Sequence, residues 1–137
     1  MTRSARWADR VGRRGERGSA VVDFVLVLVV VLPLFLGICQ VALVLHVRNT
    51  LTSAASEGAR YAATADRGPA DGAARTRSQI TGALAARFAR DVVAHPATVR
   101  GAPGVEVRVV AEVPPLGLWG PNVRLVSTGH AVEEPVP

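Results

Sequence analysis

The chain has 137 residues, 49% of them hydrophobic and 4% aromatic, with 16 basic groups against 11 acidic ones and a formal net charge of +5. That length supports one small domain at most, and a single cysteine, Cys39, excludes an intramolecular disulfide framework and any Cys-pair zinc site. Every basic group is arginine, a bias that GC-rich coding explains as well as guanidinium chemistry does.

The charge is concentrated at the start. Residues 1–18 carry six arginines (Arg3, Arg6, Arg10, Arg13, Arg14 and Arg17) against Asp9 and Glu16, whereas residues 49–137 hold nine arginines and eight acids. The chain therefore has a basic head and no basic domain. A phosphate-tracking surface needs a basic face interleaved with stacking aromatics. Tyr61, Phe88 and Trp119 lie far apart in sequence, so no nucleic-acid partner is expected.

From Phe24 to Val47 there are 24 consecutive residues without Asp, Glu, Lys or Arg, and 18 of them are Val, Leu, Ile or Phe. The run is long enough to cross a bilayer, and its apolar residues contribute about −5 to −10 kcal/mol towards insertion. Pro33 costs about 3 kcal/mol in a helix interior, less in a membrane, and does not reverse that balance. A buried core helix is the soluble alternative, but so short a chain cannot wrap a helix that is apolar on every side. A secretory signal has an apolar region of only about 7 to 15 residues, although Ser53-Ala54-Ala55 does resemble a cleavage site. The arginine-rich end is expected to stay cytoplasmic and residues 48–137 to be exported. This predicts a single-pass protein of the cytoplasmic (inner) membrane.

Arg48 to Ala63 contains no proline and places Ala54, Gly58 and Ala62 on one helical stripe, with Ala55, Ala59 and Ala63 on the adjacent one. Small residues every four positions let two helix backbones approach closely, and the partner is either this chain's own domain or another subunit. The turn formers Asp66 to Gly72 end the helix near Thr64 to Asp66. Ile80, Leu84, Phe88 and Val92 recur every four residues and predict a second helix over Arg75–Val93, closed by His95-Pro96. A turn-rich link follows at Arg100–Gly104. Val105, Val107 and Val109 then alternate with Glu106 and Arg108 as a half-buried strand; the alternation slips at Val110 and resumes at Ala111, Glu112 and Val113. Pro114-Pro115 end that strand, Leu116–Asn122 is a loop, and Val123–Val132 reads as the returning strand. The expected fold is α+β: a long N-terminal transmembrane helix, then a small extracytoplasmic head with a second helix and an antiparallel strand pair. Its parts are a leader over 1–18, an extended helix over 19–65 and the head over 66–137.

No catalytic constellation accompanies this layout. His46, His95 and His130 lack metal-site spacing, and there is neither a nucleophile elbow nor a phosphate-binding glycine loop. Cys39 lies in the apolar run, where it reads as a small packing residue. The expectation is a non-enzyme with no metal, no cofactor and no small-molecule substrate. Asp23 stands out as a carboxylate at the mouth of the apolar run. It is either hydrated among headgroups and favoured by the helix dipole, or a functional group that needs a partner.

Arg17-Gly18-Ser19-Ala20-Val21-Val22-Asp23-Phe24, a basic leader ending in glycine and followed five residues on by an acid and a phenylalanine, resembles a type IV prepilin-like processing site. The resemblance implies cutting by a prepilin peptidase between Gly18 and Ser19, leaving Asp23 fifth in the mature chain. Glycine fits closely into a peptidase site, and the carboxylate can neutralise an α-amino group buried when subunits pack. The usual acid is glutamate; aspartate is one methylene shorter. Together with Leu32-Pro33-Leu34, Leu51–Ala55 and the box Glu57-Gly58-Ala59-Arg60-Tyr61-Ala62-Ala63, the segment is similar to the TadE-like family of pilin-related proteins in tight-adherence (Flp) pilus systems. That resemblance covers residues 17–63. It implies a membrane-anchored pseudopilin that joins pilin-like subunits and the pilus assembly machinery, with Ala54, Gly58, Ala62, Glu57 and Arg60 at subunit contacts. Glu57 and Arg60 are alternatively a local i, i+3 ion pair. The competing function is an uncleaved single-pass envelope protein whose exported head binds another partner.

Overall fold

A computed structural model describes residues 8–117 and 120–134, so the first seven residues of the leader, and Trp119, lie outside the described residues. The elements run α1 (Ala8–Ala62), α2 (Pro69–Ala83), a 3-10 turn (Ala86–Ala89), β1 (Asp91–Val99), β2 (Ala102–Val113) and β3 (Val123–Val132). The chain divides into two compact units, Met1–Cys39 and Gln40–Pro137. In the first, every side chain from Gly18 to Phe35 is exposed, the state of an apolar helix with no protein around it. The helix from Gly18 to Ala62 is long and apolar enough to cross a membrane.

The second unit is the head, and it takes in the upper part of α1. Val47, Leu51, Ala55 and Ala59 are fully buried there, so the core begins well before residue 66. The three strands form one antiparallel sheet in the order β1-β2-β3. Its inner face carries Val105, Val107, Val109, Ala111 and Val113 from β2, Leu125, Ser127 and Gly129 from β3, and Val92 from β1. The observed class is α+β, as the sequence predicts, with a third strand added to the expected pair.

The third strand corrects the second helix. The segment over Arg75–Val93 is not one helix: α2 starts six residues earlier, at Pro69, and ends at Ala83. Gly68 and Pro69 make a good start, because proline needs no donor at N1 and the Asp71 carboxylate accepts from the Gly68 N–H at 2.9 Å. Ile80, Phe88 and Val92 are all buried. They come from α2, the 3-10 turn and β1 respectively, so a four-residue period arose across three elements. His95-Pro96 does not close a helix but lies inside β1, an edge strand, where a missing N–H is tolerated on the unpaired side. The hairpin to β2 turns at Arg100 and Gly101, both with positive φ (54° and 85°), the combination that a tight two-residue hairpin requires.

The alternation in β2 never slips. Odd-numbered residues from Val105 to Val113 are all buried, and Val110 is an aliphatic residue on the outer face. α1 ends at Ala62, a turn's fraction before the expected Thr64 to Asp66. Beyond it, Arg67 stacks on the Tyr61 ring with its guanidinium carbon 3.7 Å from the centroid, which ties the connecting loop back to the helix.

Candidate functional site

Two regions carry the residues singled out by sequence. The first is the start of the apolar helix. Gly18, Ser19, Asp23 and Phe24 all lie on α1 and are exposed, Phe24 at 66%. A Cβ placed on Gly18 would meet nothing within 4 Å among the described residues, so none of them demands glycine there. Ser19 and Asp23 are one helical turn apart, on the same face. The Asp23 carboxylate is exposed at the mouth of the apolar run.

The second region is the upper half of α1, where the two small-residue stripes have separate jobs. Ala55 faces the sheet at the closest approach of β3, where Gly129 passes directly over the Ala55 carbonyl. Ala54, Gly58 and Ala62 face α2. A Cβ on Gly72 would lie 2.6 Å from the Gly58 carbonyl oxygen and 2.7 Å from the Ala62 Cβ. Thr76, fully buried, donates its hydroxyl to the Gly72 carbonyl at 2.9 Å or to the Ala54 carbonyl at 3.3 Å. Of the two partners that the spacing allows, the structure supplies α2 of the same chain. The surface of Ala54, Gly58 and Ala62 is filled within the head.

Glu57 and Arg60 stay accessible. Among the described residues Glu57 pairs with Arg75 of α2 at 3.8 Å, and not with Arg60. Both partners are about half exposed, so the pair contributes little to stability. Arg60 belongs to an open polar groove along α1 with Arg48, Asn49, Thr52, Ser53, Ser56 and Glu57.

Two arrangements are not visible in linear sequence. Register brings His95, Glu106 and His130 into one row on the outer sheet face, with Glu106 3.9 Å from the His95 Nε2 and 3.4 Å from the His130 Nδ1. Among the described residues no group of His, Cys, Asp or Glu is arranged to hold a metal ion. The other is Gln40, whose carboxamide grips the β2–β3 loop: Nε2 donates to the Pro114 carbonyl at 3.3 Å, and Oε1 accepts from the Leu116 N–H at 2.8 Å. A lone amide in an apolar run is the sequence signal that could have pointed to it.

Gly18 to Phe24, the apolar run and the small-residue stripes follow one another along α1. Residues 18–60 match the TadE-like family. The family model, described as TadE-like protein, begins at Gly18, ends at Arg60 and covers about a third of the chain. Neither a curated protein nor a solved structure matches. The TadE-like segment holds Gly18, Ser19, Asp23, Phe24, Ala54, Glu57, Gly58 and Arg60, and Ala62 lies two residues past it. A TadE-like match implies involvement in tight-adherence pilus systems, and the family is generally non-catalytic. α2 and the whole sheet lie beyond the matched residues.

Proposed function

We propose that this chain is a non-catalytic, membrane-anchored pseudopilin of the TadE-like type, acting in the assembly or secretion apparatus of a tight-adherence pilus. It sits in the cytoplasmic (inner) membrane with its arginine-rich end cytoplasmic and its head outside. A prepilin peptidase removes residues 1–18, and the helix below the head then packs laterally against other pilin-like subunits. The observation that carries this reading is the start of the TadE-like match at Gly18, the residue where the processing pattern places the cut. The unbroken exposure of Gly18 to Phe35 supports it, because an apolar surface of that extent requires lipid or another helix. Asp23 is then the fifth residue of the mature chain, one turn from the new α-amino group. With Ala54, Gly58 and Ala62 occupied by α2, the head's share of a subunit contact falls to Glu57, Arg60 and the polar groove around them.

The deciding experiment is intact-mass analysis with N-terminal sequencing of the protein from native membranes. A chain that begins at Ser19 is expected, and Gly18→Leu should leave the leader attached. An intact leader in the unaltered protein would favour a permanently anchored envelope protein with a binding head, and a start near Ser56 would mean an ordinary signal peptide.

A further inference from the structure

Gln40 lies inside the apolar run, yet both ends of its carboxamide bond to the head, Nε2 to the Pro114 carbonyl and Oε1 to the Leu116 N–H. As a helix the 24-residue run is about 36 Å long, whereas the hydrocarbon core of a bilayer is about 30 Å thick. The last eight residues of the run, Gln40 to Val47, belong to the head unit. One side of this stretch, Leu43, Val44 and Val47, packs into the head's core, while Val41 and Leu45 are 59% and 52% exposed. The head is thus built onto a piece of helix whose free side carries Val41, Ala42 and Leu45 beside His46.

The β2–β3 loop has matching chemistry. From Val113 to Val123 it has no charged residue, Pro114 and Pro115 have no N–H to satisfy, and Leu116 is 49% exposed. Its Leu116 N–H and Pro114 carbonyl are the groups that Gln40 bonds. Water would serve both partners equally well, whereas in a low-dielectric layer irregular backbone survives only where protein groups satisfy it. Next to Pro114 and Asn122, a shallow hollow is lined by Arg87, Arg90 and Arg124, with Asp91 and Glu112 also on its wall. Arginines there can reach lipid phosphates while their stems lie along apolar surface.

We infer that the Pro114–Leu116 loop, held by Gln40, is a second membrane contact, seating the head in the outer headgroup layer with Leu116 against the acyl chains and the arginines at the phosphates. The partner is the lipid surface continuous with the helical span, so the inference rests on the membrane-anchored reading. The test uses the full chain carrying Cys39→Ala, with an environment-sensitive fluorophore on Leu116→Cys, Thr128→Cys or Val30→Cys, in phosphatidylcholine vesicles containing phosphatidylglycerol. A Leu116 label blue-shifted and quenched several-fold more than the Thr128 label by lipids spin-labelled near the headgroup is the expected result, and Gln40→Ala should remove most of that difference. Quenching at Val30 but none at Leu116 would overturn the loop contact and leave the span standing. A Val30 label open to aqueous iodide would overturn the anchored reading itself. A Leu116 label shielded from both iodide and lipid quencher would mean that another protein chain covers the loop, which also overturns the inference.

Discussion

Gly129 of β3 crosses α1 directly over Ala55, and a Cβ on the glycine would overlap the Ala55 carbonyl group and the Ser56 nitrogen. These are backbone atoms in the middle of a helix, so neither side can yield cheaply. Gly129→Ala is therefore expected to destabilise the head by about 1–3 kcal/mol, the usual range for overpacking. Denaturant unfolding of the detergent-solubilised protein measures it. Thr128→Ala, one residue away on the exposed face, should stay within about 0.5 kcal/mol of the unaltered protein.

The contact between Gly58 and α2 sets two effects against each other. In an exposed helix, replacing glycine by alanine gains about 1 kcal/mol of helix propensity. Here the new Cβ would lie 2.8 Å from the Gly72 carbonyl oxygen and overlap the Thr76 hydroxyl, and overpacking of that kind costs about 1–3 kcal/mol. Gly58→Ala should thus be net destabilising in the same unfolding assay. Adding Thr76→Ala removes one of the two clashes, so the double variant should lose less stability than the sum of the single ones. Strict additivity would mean that the helices are farther apart than described.

Residues 66–137 contain the whole sheet and α2 but lack Val47, Leu51, Ala55 and Ala59, which are fully buried against them. Each buried Val or Leu contributes about 1.5–3 kcal/mol, comparable with the entire stability of a small domain. A 66–137 fragment should show no cooperative thermal transition by circular dichroism. Residues 40–137, with Val41 and Leu45 made polar for solubility, should show one. Cooperative folding of the shorter fragment would contradict the role assigned to α1.

Where one element supplied a whole pattern, the sequence was enough. The apolar run, the end of α1 to within a few residues and the full extent of β3 were legible, because each is carried by one element; the alternation of β2 was read through to Val109 and then lost at Val110, because that residue is aliphatic on the outer face. β1 was not, because Pro96 reads as a breaker unless the strand is known to be an edge. The four-residue spacing of Ile80, Leu84, Phe88 and Val92 was misleading because burial was shared among a helix, a turn and a strand, and local periodicity cannot register that. At the candidate site, Gly18 to Phe24 could be found from order along the chain. The partners of Gly58 and Gln40 are 14 and more than 70 residues away in sequence, and only tertiary contact reveals them.

Asp23 offers the sharpest test of assembly, because its two roles respond differently to shape and charge. If the carboxylate served only as a hydrated residue at the mouth of the helix, Asp23→Asn would be nearly silent. If it neutralises a buried α-amino group between packed subunits, removing the charge leaves that amine unpaired, a loss that should lower site-specific crosslinking to neighbouring pilin-like subunits roughly tenfold. Asp23→Ala and Asp23→Asn are both expected to be processed normally at Gly18 and then to fail at this second step. Asp23→Glu keeps the charge and adds one methylene of reach, so its crosslinking should equal or exceed that of the unaltered protein. Unchanged crosslinking of the asparagine variant, measured alongside a mature N-terminus at Ser19, would separate Asp23 from assembly while leaving the processing of the chain intact.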